Sequence, residues 1–265
     1  MRALIKLGGT LLDSAELRAS LAEQIIAESQ RGVQIIVVHG GGKQMTRFLA
    51  ERGIESRFVN GLRVTTPEIM DAVLKVLAGS VNQELVAALI AAGARAVGLT
   101  GVDGGLVEAA QMDPQLGLVG RVVRTNPALL ELLGASGYLP VVACVAGGRD
   151  GRMYNVNADQ MAAACAAGCR AERLFFLTDI EGVLDAAGSL QAALTAQDCR
   201  RLIADGVATG GMQAKLNAAT TALDQGVEQI GIAPGASPGV LARLFAGEPA
   251  GTRIIRAHQG VGSHD

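Results

Sequence analysis

The sequence predicts an α/β fold in which a mainly parallel sheet lies between two helix layers. Of the 265 residues, 49% are hydrophobic but only 3% are aromatic, and 35 are glycine. Short Val/Ile-rich runs alternate along the chain with longer Ala/Leu-rich segments. The short runs are almost continuously apolar, as expected for strands that helices cover on both faces. Such alternation favours a three-layer αβα sandwich around an open sheet.

The predicted elements follow this alternation from one end of the chain to the other. The apolar runs predict strands at residues 2–7, 33–39, 94–99, 138–145, 173–177 and 227–232. The Ala/Leu-rich segments predict helices at residues 14–30, 43–51, 67–92, 127–135, 158–167, 196–204, 212–225 and 239–246. The start of the third helix is the sharpest, because Thr66 can cap it and Pro67 suits its first position.

Three further segments complete the predicted organisation. Residues 106–108 and 118–124 flank a polar stretch and indicate a hairpin, and residues 147–157 read as irregular. A boundary near residue 170 predicts an N-terminal lobe at 1–170 and a C-terminal lobe at 171–265, which share one continuous sheet. The tail after Arg256 is expected to be loose.

Charge and cysteine usage exclude several functional classes. The net charge of -2 and a pI near 6.0 argue against nucleic acid or a membrane surface as partner. There is no secretory signal pattern and no apolar run that spans a bilayer. The cysteines form no C-x-x-C pair or zinc spacing, and Cys165 and Cys169 read as small core residues. We therefore expect a cytoplasmic protein.

Scarce lysines beside glycine turns give the first functional signal. Lysine occurs only at positions 6, 43, 75 and 215, and the first, second and fourth of these lie on or beside glycine-rich turns. The turns Gly8-Gly9 and Gly40-Gly41-Gly42 each follow a strand, so both face the crevice at the carboxyl ends of the sheet. Backbone N–H groups in such turns cradle anions, which predicts a phosphate ligand. Neither turn matches the P-loop or the dinucleotide fingerprint, which counts against P-loop kinases and Rossmann dehydrogenases.

Polar side chains in three segments of the chain each allow two interpretations. Arg63, in a turn before the third helix, can grip a carboxylate through two parallel hydrogen bonds or can be an ordinary solvated arginine. Asn157 and Asp159 can cap and stabilise the helix that follows, or Asp159 can be an acid that orients lysines. His39, at a strand end, can be structural or can contact a ligand.

Taken in order, seven segments resemble the acetylglutamate kinases of the amino-acid kinase family. They cover nearly the whole chain: Lys6-Leu7-Gly8-Gly9, Val38-His39-Gly40-Gly41-Gly42, Asn60-Gly61-Leu62-Arg63-Val64, Asn155-Val156-Asn157-Ala158-Asp159, Leu177-Thr178-Asp179, Gly211-Met212 with Lys215, and Gly251-Thr252-Arg253-Ile254. The resemblance implies a carbamate kinase-like fold. It also implies transfer of the ATP γ-phosphoryl group to the side-chain carboxylate of N-acetyl-L-glutamate, the second step of arginine biosynthesis.

The resemblance also implies a role for each matching residue. Lys6 and Lys215 would stabilise the transferring phosphoryl group and Asp159 would hold both lysines. The substrate-binding residues implied are Gly9, Gly41, Gly42, Arg63 and Asn155. The nucleotide-binding residues implied are Asp179, Ile180, Glu181, Gly182, Val183, Leu184, Val207, Ala208 and Thr209. No role falls to Lys43, and Lys75 reads as a helix-surface or interface residue.

The implied cofactors are ATP and Mg²⁺, and the expected assembly is a homodimer. The apolar helix at 67–92 can supply the dimer interface or can be a core helix of the monomer. Arginine-inhibited hexameric relatives carry an extra helix before the first strand. Because the first strand here begins at residue 2, we expect an enzyme that arginine does not inhibit.

Two other functions compete with this prediction. A sister kinase acting on carrier-protein-bound aminoadipate or glutamate in lysine biosynthesis would share the glycine and lysine motifs, but Arg63 favours a free acyl amino acid. A non-catalytic module that senses a nucleotide or amino acid is the second, and the joint presence of Lys6, Asp159 and Lys215 counts against it.

Overall fold

A computed structural model describes residues 1–256, so the tail that follows Arg256 lies outside the described residues. In chain order, strands β1 to β14 lie at Arg2–Leu7, Gln34–His39, Phe58–Val59, Leu62–Arg63, Ala96–Thr100, Val107–Gln111, Val119–Thr125, Leu139–Ala143, Val145–Gly147, Met153–Val156, Arg173–Thr178, Ala193–Thr195, Gln229–Pro234 and Thr252–Ile255. Helices α1 to α9 lie at Ala15–Gln30, Gly42–Ala50, Pro67–Val73, Asn82–Ala91, Ala128–Ala135, Ala158–Gly168, Ala196–Ala204, Gly210–Asp224 and Val240–Ala246. A π-helical segment at Leu74–Val81 joins α3 to α4 without a break.

The main sheet has eight strands in the order β12-β14-β13-β11-β1-β2-β8-β5. All neighbouring pairs are parallel except β13 and β14, which are antiparallel. Helix α1 packs against α4 and α9, and helix α8 packs against α6 and α7. The predicted α/β class and mainly parallel sheet are confirmed.

The register of the central strands brings their carboxyl ends to one edge. Leu7 at the end of β1 pairs with His39 at the end of β2 and with Leu177 of β11, and His39 pairs in turn with Ala143 of β8. The segments that follow these four strands therefore meet in one crevice, where open α/β sheets bind their ligands.

Several short strands escaped the sequence analysis. The stretch predicted to be irregular contains β10, which pairs with β9 and β7. The predicted strand at 138–145 is two strands, because the chain changes partner at Cys144. The predicted hairpin is confirmed as β6 and β7, and it closes with β9 and β10 into a small four-stranded barrel. The pairing of β7 with β10 joins Val119 to Asn155, residues far enough apart in sequence that local patterns do not report it.

The segment Pro67–Ala91 is one long apolar helix, as predicted. The side chain of Thr66 accepts a hydrogen bond from the Ile69 N–H at 3.2 Å, which confirms its capping role. By length and composition this helix could cross a membrane, but 44% of its most apolar window is buried within the protein. It packs against α1, α2 and β5, so much of its apolar surface belongs to the core.

Within the described residues the two halves of the chain join without a linker. Strand β11, the first of the C-terminal half, pairs with β1 over five residues, so the sheet is continuous as expected. Only residues 169–172 connect α6 to β11. All four cysteines are free and buried, which agrees with the interpretation of Cys165 and Cys169 as core residues.

Candidate active site

Two lysines and one aspartate form a buried ionic cluster at the crevice. Lys6 Nζ lies 2.8 Å from Asp159 Oδ1, and Lys215 Nζ lies 3.1 Å from Asp159 Oδ2. The Lys215 contact is an aligned hydrogen bond, whereas Asp159 Oδ1 receives no aligned hydrogen bond and its contact with Lys6 is an ion pair. All three residues are less than one-tenth exposed. The cluster therefore joins three segments of the chain by charge in a setting that excludes most water.

Burial and charge act against each other in this cluster. Burial disfavours a charged Asp159, but the two lysines outweigh it and hold the pKa of the carboxyl below its usual value. Burial, together with the charge of Lys6, lowers the pKa of Lys215, although Asp159 opposes the shift. The cluster carries two positive charges against one negative, so it favours an anionic ligand.

Local structure fixes each member of the cluster. Lys6 belongs to the central strand β1, whose other residues are buried from Ala3 to Leu7. The Asn157 side chain accepts hydrogen bonds from the Asp159 and Gln160 N–H groups at 2.9 and 3.2 Å, which confirms it as the cap of α6. Lys215 lies in the second turn of α8, which packs along α6.

The two glycine turns meet beside the cluster. A Cβ built on Gly9 would lie 3.0 Å from the Gly42 nitrogen and 3.2 Å from the Gly41 nitrogen, so a side chain here would crowd the backbone of the second turn. A Cβ on Gly41 would lie 2.4 Å from Leu77 Cδ2. In the part of the chain that the structure describes, the N–H groups of Gly9, Gly41 and Gly42 donate to no protein acceptor. Three free N–H donors thus converge, as in the anion-binding turns that the sequence predicted.

Arg63 and Asn155 line the same cavity, of about 230 Å³, as Lys6, Asp159 and these glycines. The structure therefore brings the predicted substrate residues together. Asn155 Nδ2 donates to Thr65 Oγ1 at 3.1 Å, and Thr65 Oγ1 donates to the Arg63 carbonyl at 2.9 Å. A larger groove of about 660 Å³ between α6, α8 and β7 lies apart from the cluster, and its arginines, Arg121 and Arg124, are exposed.

The Arg63 guanidinium has three protein partners. Its Nη2 donates to the Gly42 carbonyl at 3.1 Å and to Thr46 Oγ1 at 2.8 Å, and its Nη1 donates to Ser56. The guanidinium also lies 4.6 Å from the centre of the Phe58 ring. These contacts hold the head group at the cavity and leave Nε and one Nη1 hydrogen for a ligand.

The first predicted nucleotide segment, residues 179–184, follows β11 at the same sheet edge. Ile180 and Leu184 expose 39% and 47% of their surface, respectively. The segment is anchored to strand β14, because Thr252 Oγ1 accepts a hydrogen bond from the Val183 N–H at 2.8 Å. A Cβ on Gly182, whose φ is +152°, would lie 2.7 Å from the same Thr252 oxygen. The closing Gly251-Thr252 motif thus supports this loop.

The second predicted nucleotide segment, Val207 to Thr209, leads into α8. Thr209 occupies the cap position of α8, but its side chain makes no capping hydrogen bond. The first N–H groups of α8 are therefore not satisfied by this cap, and a helix N-terminus of this kind attracts phosphate. Lys215 lies on the same helix and reaches the ionic cluster, so α8 links this segment to Asp159.

Sequence reasoning missed several residues around the site. Lys43, which had no expected role, is exposed at the start of α2, and its charge acts on Asp179 across the crevice. Partial burial opposes ionisation of Asp179, but its backbone N–H, Thr178, Thr10 and Lys43 together lower its pKa.

Gln44 Nε2 donates to the Gly9 carbonyl at 2.9 Å. Lys75 has an exposed partner, Asp71, as expected of a helix-surface residue. The pattern of apolar and polar residues gave no signal for the contacts of Lys43 and Gln44.

The chemistry available at the site is charge neutralisation. Burial raises the pKa of the Cys144 thiol, which lines the cavity, to about 11, so it is protonated at neutral pH. Burial lowers the pKa of His39 to about 4, so the ring is neutral. Within residues 1–256 no group of three His, Cys, Asp or Glu side chains is placed to hold a metal ion. The polar donors that can act on an anionic ligand are the two lysines of the cluster together with Arg63, Asn155 and the backbone N–H groups, which line the cavity.

Comparison with known proteins agrees with this geometry. The model of the amino acid kinase family matches residues 1–233. The chain belongs to the amino acid kinase family. It is 64% identical over 257 residues to an acetylglutamate kinase of Solibacter usitatus, covering 97% of this chain and 100% of that relative. The family is one of kinases and implies the use of ATP.

Solved structures of other proteins have the same fold. An N-acetylglutamate synthase from Neisseria gonorrhoeae, complexed with coenzyme A and N-acetyl-glutamate, matches with a TM-score of 0.86 and 26% identity. The match covers 97% of this chain and 59% of that longer protein. A carbamate kinase from Giardia lamblia bound to AMP-PNP matches with a TM-score of 0.73 and 15% identity, over 97% and 98% of the two chains. The expected carbamate kinase-like fold is confirmed.

Proposed function

We propose that this protein transfers the γ-phosphoryl group of ATP to the side-chain carboxylate of N-acetyl-L-glutamate, the second step of arginine biosynthesis. The observation that carries the proposal is the buried Lys6–Asp159–Lys215 cluster beside three free glycine N–H groups. The relative from Solibacter usitatus, at 64% identity, is named for this activity. The ionic cluster, the three glycine N–H groups and the name of the relative all support the same reaction.

In the proposed reaction, a carboxylate oxygen of the acyl amino acid attacks the γ-phosphorus. The bond from that phosphorus to the β–γ bridging oxygen breaks, which gives an acyl phosphate and ADP. The carboxylate is already ionised at neutral pH, so the step needs no general base. Lys6 and Lys215 neutralise the transferring group from two sides, and Asp159 holds both ammonium groups in place. Such transfers depend mainly on positioning and on electrostatic stabilisation.

The remaining residues divide between the two substrates. Arg63 and Asn155 would bind the α-carboxylate, and Gly9, Gly41 and Gly42 would donate N–H groups near the reacting atoms. The first nucleotide segment (Asp179, Ile180, Glu181, Gly182, Val183 and Leu184) and the second (Val207, Ala208 and Thr209) would bind ATP. This assigns the acyl amino acid to residues 1–170 and ATP to residues 171–265.

Mg²⁺ would arrive with the nucleotide. This ion is often held by substrate phosphates, water and only one or two carboxylates, so it needs no dedicated three-residue site. Asp159 is occupied by two lysines, whereas Asp179 is exposed and ionised beside the crevice. When bound, Mg²⁺ would supply further neutralisation of phosphate charge.

We further propose a homodimer in the cytoplasm. Strand β5 ends the main sheet and its residues are half-buried, while Ile90 at the end of the neighbouring helix exposes 53% of its surface. A second copy would cover both. Light scattering coupled to size exclusion gives the mass, and a monomeric mass would contradict this assembly.

A coupled ADP-release assay tests the function directly. N-acetyl-L-glutamate, glutamate, aspartate and a carrier-linked aminoadipate would be offered with MgATP. We expect turnover with N-acetyl-L-glutamate far above the others. Preference for the carrier-linked substrate would favour the lysine-biosynthesis kinase, and no ADP release with any of them would favour the sensing module.

A further inference from the structure

The three carbonyls of the Gly40-Gly41-Gly42 turn all point back into the protein. The Gly41 carbonyl accepts from the Met45 N–H at 2.9 Å. The Gly42 carbonyl accepts from Arg63 at 3.1 Å and from the Thr46 hydroxyl at 2.9 Å. The Gly40 carbonyl lies 2.8 Å from His39 Nδ1. The contacts of the Gly41 and Gly42 carbonyls are local to helix α2 or involve Arg63, a proposed substrate residue. The contact of the Gly40 carbonyl instead depends on His39, a buried histidine that the reaction does not use.

The hydrogen bonds around His39 permit only one tautomer. Asn82 Nδ2 lies 3.0 Å from the Val141 carbonyl, which can only accept, so the amide nitrogen faces that side. The same Nδ2 lies 3.0 Å from His39 Nε2, which must therefore be the acceptor. The proton is thus on Nδ1, and Nδ1 donates to the Gly40 carbonyl. His39 and Asn82 are 0% and 1% exposed, so water cannot replace these bonds.

Asn82 owes its place to the π-helical segment that precedes it. Leu77 and Val81 of that segment lie against Gly41, since a Cβ built there would be 2.4 Å from Leu77 Cδ2 and 3.6 Å from Val81 Cγ2. Asn82 comes directly after Val81 and reaches His39 from the same side. π-helical turns are rare and often occur at functional sites. Here the wider turn directs two apolar side chains and one amide at the base of the glycine turn.

The direction of the Gly40 carbonyl fixes the direction of the next N–H group. The described residues contain no cis peptide, so the Gly41 N–H points opposite to the Gly40 carbonyl. It leaves the core and faces Gly9, whose built Cβ lies 3.2 Å from the Gly41 nitrogen. We propose that His39 and Asn82 are positioning residues that aim the Gly41 N–H at the transferring phosphoryl group. The inference rests on the proposed phosphoryl transfer.

A matched set of variants separates positioning from simple packing. His39→Leu keeps the volume and removes the donor, whereas His39→Asn restores a donor close to the Nδ1 position. Asn82→Leu removes the bond that selects the tautomer, and Leu85→Ala makes a cavity one turn further along the same helix. Each is assayed for kcat, for KM of both substrates and for affinity to MgADP with aluminium fluoride and N-acetyl-L-glutamate, which imitates the transferring group.

We expect His39→Leu and Asn82→Leu to lower kcat and affinity for the fluoride complex at least about tenfold, because one preorganised donor is typically worth more than that. Both KM values should stay within about twofold of wild type, since the donor acts mainly in the transition state. His39→Asn should recover most of the loss, and Leu85→Ala should lower thermal stability alone. Wild-type kcat in both leucine variants, or equal losses in His39→Leu and His39→Asn, would overturn the proposal.

A measurement on the wild-type protein covers the case in which the leucine variants do not fold. Nitrogen NMR of the imidazole between pH 6 and 8 should show a protonated Nδ1 and an unprotonated Nε2, and a proton on Nε2 would refute the arrangement. The proposed function is read from wild-type turnover, whereas the positioning role is read from the variants and the tautomer. Failure of one is therefore distinguishable from failure of the other.

Discussion

The acyl side of the proposed site and its nucleotide side are built differently. Lys6, Asp159 and Arg63 are buried and already paired with protein groups. By contrast, the segment at 179–184 exposes Ile180 and Leu184, although Val183 is buried and its N–H donates to Thr252. The difference teaches that one half of the site is preorganised by the core, while the other half combines a buried anchor at Val183 with exposed side chains.

Removing the shared carboxylate should break the preorganised half most severely. We expect Asp159→Asn to destabilise the protein by about 3–5 kcal/mol, because it leaves two buried ammonium groups without a counter-ion. Urea unfolding measures the loss. Lys75→Met, which removes one partner of an exposed ion pair, is the control and should change stability by less than about 1 kcal/mol. A similarly small change for Asp159→Asn would mean that the cluster is not an essential charge pairing.

Acid should weaken the same half through His39. Burial lowers its pKa from 6.5 to about 4, so below pH 6.5 the unfolded chain binds a proton that the folded ring does not bind until about pH 4. The contribution of His39 to the free energy of unfolding should therefore be constant above pH 6.5. It should fall by about 3 kcal/mol as the pH drops to 4. Urea unfolding at pH 7 and pH 4.5 is compared with His39→Asn, which should lose less. Equal losses would assign the effect to other groups.

The two lysines test whether both sides of the cluster act on the reaction. Lys6→Ala and Lys215→Ala should each lower kcat at least about a hundredfold, because each removes a charge that neutralises the transferring group. Steady-state ADP release measures this, with circular dichroism as the control for folding. Lys43→Ala, at the rim of the crevice, should have a far smaller effect. Wild-type turnover in both cluster variants would contradict the mechanism.

Arg63→Ala should act on binding more than on chemistry. We expect KM for N-acetyl-L-glutamate to rise about tenfold or more with a smaller change in kcat, since in the proposed reaction Arg63 would contact the part of the substrate that does not react. KM for ATP should not change. An unchanged KM for the acyl amino acid would remove Arg63 from the substrate site and leave it as an anchor for Thr46 and the Gly42 carbonyl.

The nucleotide side should respond most mildly. Thr252→Val removes the acceptor of the Val183 N–H but keeps the shape, so KM for ATP should rise by a few-fold, consistent with the loss of about 1 kcal/mol from one neutral hydrogen bond. KM for N-acetyl-L-glutamate is the internal control. A larger effect on the acyl substrate than on ATP would show that the two sides are not separate.

The sequence predicted the parts of this site better than their assembly. Strands β1 and β2 were found almost residue for residue because continuous apolar runs mark buried parallel strands. Strands β10, β12 and β14 were missed, since each is four residues or fewer and is stabilised by partners distant in sequence. Periodicity reports local burial and carries no information about such pairings.

The residues alone left Asp159 as either a helix-stabilising acid or an acid that orients lysines, and only the resemblance paired it with Lys6 and Lys215. Asp159 and Lys215 are 56 positions apart, and nothing in either segment alone indicates that they touch. The tautomer of His39 was equally hidden, because it is set by Asn82, 43 positions away. Side chains that are satisfied by distant partners have no sequence pattern of their own.

The seam between β1 and β11 also limits how the protein can move. Five residue pairs from Ala3–Arg173 to Leu7–Leu177 connect the two halves, and the chain crosses between them in only four residues. Rigid-body hinge motion needs a flexible linker, whereas here the two halves of the chain are joined through a shared sheet. Any opening or closing of the crevice would therefore involve twisting of that shared sheet or displacement of the loops above it. Cutting the chain near residue 170 should consequently yield two fragments that each expose an unpaired edge strand, β1 or β11, and not two independent domains.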